Sequence, residues 1–329
     1  MRWSASRRPI GRPRTGSIEG STCCVDEGIR QTEPTSRSSC YTPSVKKGAS
    51  VSEEGAHSCL LCGATDATVL CEFPELTWVS CRCGLIYKLS DALPAVEYEE
   101  DYFVSRKNVR RQYNTRNQRR IRKSRSQILD VLNHVEPGPL LDIGCAHGHT
   151  LLAARELGLS ATGVDISDHA VSFCGELGFE TKIGTMERLP FPDGSFQIAV
   201  MKHVLEHTRT PREALREIRR VLRPGGGLFI AIPHAGYWKA RIDPMGYRFF
   251  RPEFHGREHY FYYTPRTLAR LLKQESYDPV HLPHPHVIHR RVGAAERAAE
   301  IAIAPFRVAA QQTRSALSLY KEFWVVATR

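Results

Sequence analysis

The sequence predicts a doubly wound α/β domain, a mostly parallel sheet covered by helices on both faces, running from about residue 135 to the C-terminus. Three observations predict it. Short apolar runs alternate with helix-period segments after Gly138, the first run ends in a small-residue turn at 144–148, and the second ends in the acid Asp165.

Taken in order, the strands are expected at 139–143, 161–166, 179–183, 196–201 and 227–232. Helices are expected between them at 148–157, 168–177 and 211–222, the last ended by Arg-Pro-Gly-Gly-Gly at 223–227. A further helix should follow Thr264, which caps it, with Pro265 in the first helical position. The apolar segment Phe323 to Ala327 reads as a final strand.

Ahead of this domain the composition changes. Residues 1–56 are rich in Ser, Thr, Arg, Gly and Pro and lack hydrophobic periodicity, which predicts a disordered basic tail. Residues 57–90 form a cysteine-bearing module, and 91–134 a mainly helical connector with an apolar stripe of Ile121, Ile128, Leu129, Val131, Leu132 and Val135 that should pack on the main domain.

The 329 residues are 25% charged and 41% hydrophobic, with no apolar run long enough to span a bilayer and no apolar stretch behind the N-terminal arginines. A membrane-spanning or secreted protein is not expected; the chain reads as cytoplasmic, with its ten cysteines as reduced thiols. The formal charge is +11, and ten Lys or Arg fall between Ser105 and Arg125 without an acid. That run suits nucleic acid or anionic lipid, although a solvated helix face is the simpler reading.

Leu140-Leu-Asp-Ile-Gly-Cys-Ala-His-Gly-His-Thr150 is a strand, a tight turn and a helix start. Such a turn can bring a ligand close to the backbone, but Asp142 places a negative charge where a phosphate cradle would avoid one. A cationic ligand end, such as the amino group of a methionine moiety, fits better than a dinucleotide. Twenty-three residues on, Asp165 is placed to accept hydrogen bonds from ribose hydroxyls.

Further pieces follow in order: Gly184-Thr-Met-Glu-Arg-Leu-Pro-Phe-Pro-Asp-Gly-Ser-Phe196, Met201-Lys-His-Val-Leu-Glu-His207 and Glu217-Ile-Arg-Arg-Val-Leu-Arg-Pro-Gly-Gly-Gly-Leu-Phe-Ile230. Together with the turn and Asp165, they resemble the class I S-adenosylmethionine-dependent methyltransferases, densely over about residues 138–275. The resemblance implies a seven-stranded, Rossmann-like sheet and S-adenosylmethionine as cofactor. It implies that Asp142, Gly144, Cys145, Ala146 and Gly148 line the methionine and ribose side, and that Asp165 and Ile166 meet the ribose end. Thr185 and Met186 would contact adenine, and Lys202 would lie beside the methyl donor. Ala146 stands where glycine is frequent, Thr185 where an Asp is expected, and Gln197 where an Asp commonly follows Phe196.

Cys59-Leu-Leu-Cys62 and Cys81-Arg-Cys83 resemble a small zinc ribbon found ahead of some bacterial methyltransferases, which implies a structural Zn²⁺ on four thiolates. The second pair is one residue shorter than usual, so Cys71 is an alternative ligand.

Candidates for a base are His203, His207 and His259. His203-Val-Leu-Glu206-His207 also resembles the metal-binding Glu-x-x-Glu-His of ubiquinone-pathway and small-RNA 2′-O-methyltransferases, with His in the first position and His259 as a further ligand. The ordinary family reading has Glu206 and His207 orient the loop. Residues 234–263 are dense in aromatics, which suggests a lid over a planar or lipophilic acceptor, and 294–319 read as an Ala-rich helical insertion. The expected activity is methyl transfer to an O or N atom of a small-molecule acceptor, such as a secondary metabolite or glycan precursor. Alternatives are RNA methylation through 105–125, or a non-catalytic binding protein that keeps the fold.

Overall fold

The computed structural model describes residues 58–89, 115–237, 249–252, 255–281 and 322–329. The tail expected over 1–56, residues 91–114 of the connector and the insertion expected over 294–319 lie outside the described residues.

The cysteine-bearing module folds as three antiparallel strands, β1 (Thr68–Phe73), β2 (Leu76–Ser80) and β3 (Ile86–Leu89). Helix α1 (Thr115–Leu132) follows. The alternating part then runs β4 (Leu140–Ile143), α2 (His149–Glu156), β5 (Ala161–Asp165), α3 (Asp168–Glu176), β6 (Glu180–Ile183), β7 (Phe196–Lys202), α4 (Pro211–Val221) and β8 (Leu222–Pro233). Last come β9 (Phe261–Tyr262), α5 (Pro265–Gln274), β10 (Asp278–His281) and β11 (Glu322–Thr328).

The principal sheet has seven strands in the order β10-β11-β8-β7-β4-β5-β6, with β11 antiparallel to β8 and β10, and the remainder parallel. It is the Rossmann-like sheet of the class I methyltransferase fold. Strand ends agree with the sequence within a residue or two except in β8, which starts at Leu222 and so contains the expected breaker. A side chain at Gly226 would come within 2.9 Å of the Arg223 and Gln197 carbonyls. The glycines therefore make an irregular entry into β8, and its register against β7 shifts between Phe196 and Ile198.

Each sheet face has its own core. On one face Ile121, Ile128 and Val131 of α1 pack on Val200, Phe229 and Trp324, whereas Leu129 of the expected stripe is 44% exposed because it falls on the helix's outer side. The other face carries α4 and α5, and its core runs without a break into the cysteine module through Cys59, Leu61, Val79, Cys81 and Leu85. α5 has the expected cap: the Thr264 hydroxyl accepts from the Thr267 N–H, and the Thr267 hydroxyl accepts from the Thr264 N–H.

Part of the aromatic-rich segment fills a core. β9 adds a fourth strand to the module's sheet beside β3. Phe250 and Tyr262 pack on Trp78, whose indole N–H donates to the Phe250 carbonyl at 2.9 Å. Phe250, Tyr262 and Tyr263 are buried, because joining two sheets needs an apolar filling between them. Trp238, Tyr247 and Phe254 lie outside the described residues. Among the described residues, no helix is long and apolar enough to cross a membrane.

Candidate active site

After β4 the chain steps outward to β5 and β6, and then returns to lay β7 on the other side of β4. The reversal opens a crevice at the carboxyl ends of β4 and β7, where ligands of open α/β sheets bind. Gly144, Ala146 and Gly148 all take left-handed backbone angles there, with φ of 72°, 45° and 67°. A Cβ on Gly144 would stand 2.6 Å from Val204 Cγ2, so both conformation and space demand glycine.

Four amides of this turn are used within the fold. The N–H groups of Gly144 and Cys145 donate to the Val164 carbonyl, that of Ala146 to Asp165 Oδ2 at 2.9 Å, and that of Gly148 to the Cys145 carbonyl. A pyrophosphate cradle needs such groups turned outward. The turn offers a ligand close approach to the backbone and nearby carboxylates instead. Cys145 itself is buried against Leu151 and Cys174, so its thiol faces the interior.

Asp165 ties the two strand ends together, since Oδ1 also accepts from the Ser167 N–H at 3.0 Å. Burial raises its pKa, and the N–H groups of Ala146, Ser167 and Ile166 oppose that rise. The carboxylate keeps acceptor capacity for a hydroxyl donor. Beyond it Ile166 is 50% exposed, an apolar face beside the crevice. Thr185 turns back on Arg188, whose N–H donates to its carbonyl, and Met186 packs partly into the main core.

Asp142 is 2% exposed. Burial pushes its carboxyl up to about 7, against the pull of Lys202 and a hydrogen bond from Thr150. Lys202 is tied down by donating to Ser124 Oγ of α1 at 2.8 Å. Burial lowers its pKa, while Asp142 and Glu322 raise it. α1 thus closes one side of the crevice, and Lys202 partly balances the Asp142 charge.

At the end of β7, His203 adopts a φ of 56° and points its ring between two acids, Nδ1 to Glu206 at 3.4 Å and Nε2 to Glu322 at 3.1 Å. Burial lowers its pKa, but the two carboxylates outweigh this and bring it to about 9. Glu322 also pairs with Lys123 of α1. Of the three histidines singled out in the sequence, His203 therefore has both ring nitrogens committed to carboxylates. His207 and His259 come together, ring centroids 4.6 Å apart and edge to face. Between them lies Glu206, fully buried, whose carbonyl accepts from the Tyr260 N–H at 2.7 Å and so holds the 255–262 segment against β7. The possible metal set of the sequence, Glu206 and His207 with His259, comes together, while His203 of that set turns to the carboxylates; His255 and Glu258, which adjoin His259, were not singled out.

In the module, Cys59 and Cys62 sit on one tight turn and Cys81 and Cys83 on another, each completed by a left-handed glycine, Gly63 or Gly84. The Cys59–Cys83 sulfurs are 3.7 Å apart and the Cys62–Cys81 sulfurs 3.4 Å, with all four within 4.8 Å of one another. Ligands about 2.3 Å from a tetrahedral zinc stand roughly 3.8 Å apart, so the set fits that ion. Cys71 instead lies in the core with Trp78 and Phe250, its thiol pushed up to about 12 by burial.

Residues 113–282 match the family model described as a methyltransferase domain, and the chain belongs to that family. It is 39% identical over 102 residues to the uncharacterized methyltransferase YcgJ of Bacillus subtilis, covering 29% of this chain and 40% of that one. The solved YcgJ structure covers 63% of this chain and 98% of its own, at 18% identity and a TM-score of 0.45. An O-methyltransferase of Pyrenophora dematioidea is 34% identical over 117 residues, 31% of this chain and 43% of its own. The ajmaline N-methyltransferase of Rauvolfia serpentina is 31% identical over 104 residues, 29% of this chain and 36% of its own. The chain thus matches less than half the length of each of these curated relatives.

Proposed function

We propose that this protein transfers a methyl group from S-adenosylmethionine to an oxygen or nitrogen atom of a small-molecule acceptor. The observation that carries the reading is the turn after β4, where the N–H groups of Gly144, Cys145, Ala146 and Gly148 are spent internally and the carboxylates of Asp142 and Asp165 stand at the strand ends. Such a site suits a ligand with one cationic end and vicinal hydroxyls. Asp142 would accept from the donor's amino group, with Lys202 beside it partly balancing its charge. Asp165 would hold the ribose, with Ile166, Thr185 and Met186 along the adenine. The donor supplies a carbon activated by sulfonium, so the protein's part is alignment and exclusion of water. α1 contributes both by covering the crevice through Ser124 and Lys123. An O- and an N-methyltransferase among the relatives support either acceptor atom. A structural zinc on Cys59, Cys62, Cys81 and Cys83 completes the reading.

The test is incubation with S-adenosylmethionine labelled in its methyl group and fractionated small-molecule extract. Label is expected in an acceptor fraction with the intact protein. Label that appears equally with Asp142→Asn protein, or in no fraction although the donor binds, would count against it.

A further inference from the structure

The crevice makes no use of the outward side of α1. Along Thr115–Leu132 the one acid is Asp130, more than a turn beyond Arg125. Arg119, Arg122 and Arg125 are exposed, and none of them makes a hydrogen bond or ion pair among the described residues. Spaced three residues apart, they climb about 4.5 Å per step, a row about 9 Å long. Lys123 and Ser124 instead reach Glu322 and Lys202.

The row costs the helix stability. Like charges three residues apart repel. The first turn holds no acid and the last turn no base, the reverse of what the helix dipole favours. Elsewhere in this protein a helix rich in arginine compensates its charge: α4 pairs Arg220 with Glu217 and Asp193, and sends Arg212 and Arg216 to Glu275. An uncompensated row calls for an anion from outside.

A membrane surface and a nucleic acid both present phosphates in quantity. A helix that lies on lipid inserts its apolar side, but that side of α1, with Ile121, Ile128 and Val131, is buried in the core. Among the described residues of α1, Leu129 is the one large apolar side chain turned outward. Arginine, moreover, presents a fork that matches phosphate oxygens two at a time and a plane that stacks on bases. The balance favours nucleic acid.

We propose that Arg119, Arg122 and Arg125 of α1 bind the phosphate backbone of a nucleic acid without regard to base sequence. In sequence the same sign continues through Arg106, Lys107, Arg110 and Arg111. The row is separate from the contacts that α1 makes to Lys202 and Glu322, so the inference needs nothing from the methyl-transfer reading.

The experiment adds full-length protein to a labelled oligouridylate RNA, and separately to a labelled DNA duplex of similar length, and follows fluorescence anisotropy at several salt concentrations. Wild type should bind, more weakly as salt rises, and the tighter of the two strands identifies the source of the phosphates. With Arg119→Gln, Arg122→Gln and Arg125→Gln together, binding at about 100 mM salt should weaken by about 100-fold, and the logarithmic salt slope should flatten by about 2. Lysine at the same three positions keeps the charge and should keep the slope. Gln at Arg266, Arg270 and Lys273, exposed on α5, removes equal charge and should leave binding largely unchanged. The α1 triple variant should melt no lower than wild type, since repulsion is relieved. S-adenosylmethionine binding, which tests the other reading by itself, should be the same in every variant. No binding of either strand, an α1 triple variant that binds as wild type does, or an equal loss in the α5 variant would overturn the proposal. So would tighter binding to phosphatidylglycerol vesicles through the same three arginines.

Discussion

The two ends of the crevice are built on opposite principles. At β4 the polar groups are local and largely satisfied: Asp165 accepts from the Ala146 and Ser167 amides among others, and the N–H groups of Gly144, Cys145, Ala146 and Gly148 find carbonyls or that acid within a few tens of residues. At β7 the groups come from distant segments: the buried Glu206 carboxylate faces the His203 ring at 3.4 Å, and the Tyr263 hydroxyl is buried without a hydrogen bond. A satisfied polar network is rigid, and an unsatisfied one stores free energy that a ligand can release. The difference suggests that the β4 end is held by its own local bonds, while the β7 end depends on contacts between distant segments.

If the four thiolates hold zinc as proposed, removing it should give the largest effect, because the module's core is continuous with the main domain's. A strong chelator is expected to lower the melting temperature by about 10 °C or more, the equivalent of several kcal/mol in a chain of this size. A chelator-insensitive melt would show that the module stands on packing alone.

Next, Asp142→Asn should weaken S-adenosylmethionine binding by about 100-fold in calorimetry, since a charge-assisted hydrogen bond in a buried site is worth about 3 kcal/mol. An unchanged affinity would shift the credit to backbone shape. Gly144→Ala should cost about 2 kcal/mol in denaturant unfolding, from a left-handed φ and the Val204 contact at 2.6 Å.

The pH dependence sharpens the same contrast. With its pKa raised to about 7, Asp142 is largely protonated in the free protein below that pH. A cationic ligand requires the ionised form, so affinity should fall by up to about tenfold per unit as pH drops below 7, and level off above it. Stability of the ligand-free protein runs the other way. The unfolded acid ionises near 3.8, so this group favours folding less as pH rises from there toward 7. The smallest effect is expected of Ala146→Gly, which relieves a φ of 45° at the cost of a freer unfolded chain and should change stability by under about 1 kcal/mol.

The donor side was legible because it is local. A strand, a glycine turn and a strand-end acid carry their spacing in the sequence, and the period of the apolar runs placed ten elements within a few residues of where they lie. The sequence did not reveal that His203 turns away to Glu322, since that acid sits 119 residues later on β11. Nor did it show that Phe250 and Tyr262 serve as filling for a second sheet with Trp78, because aromatic density marks a lid and a core alike. The zinc-ribbon spacing looked one residue short. The left-handed turn at Gly84 lets Cys83 reach the other thiols, while Cys71 belongs to the core.

The most direct test is a calorimetric titration of the wild-type protein with S-adenosylmethionine, set beside one with a nicotinamide dinucleotide. One equivalent of S-adenosylmethionine should bind per chain, and the dinucleotide should give no heat. Binding of the dinucleotide instead, or of neither, would contradict the assignment of the β4 turn.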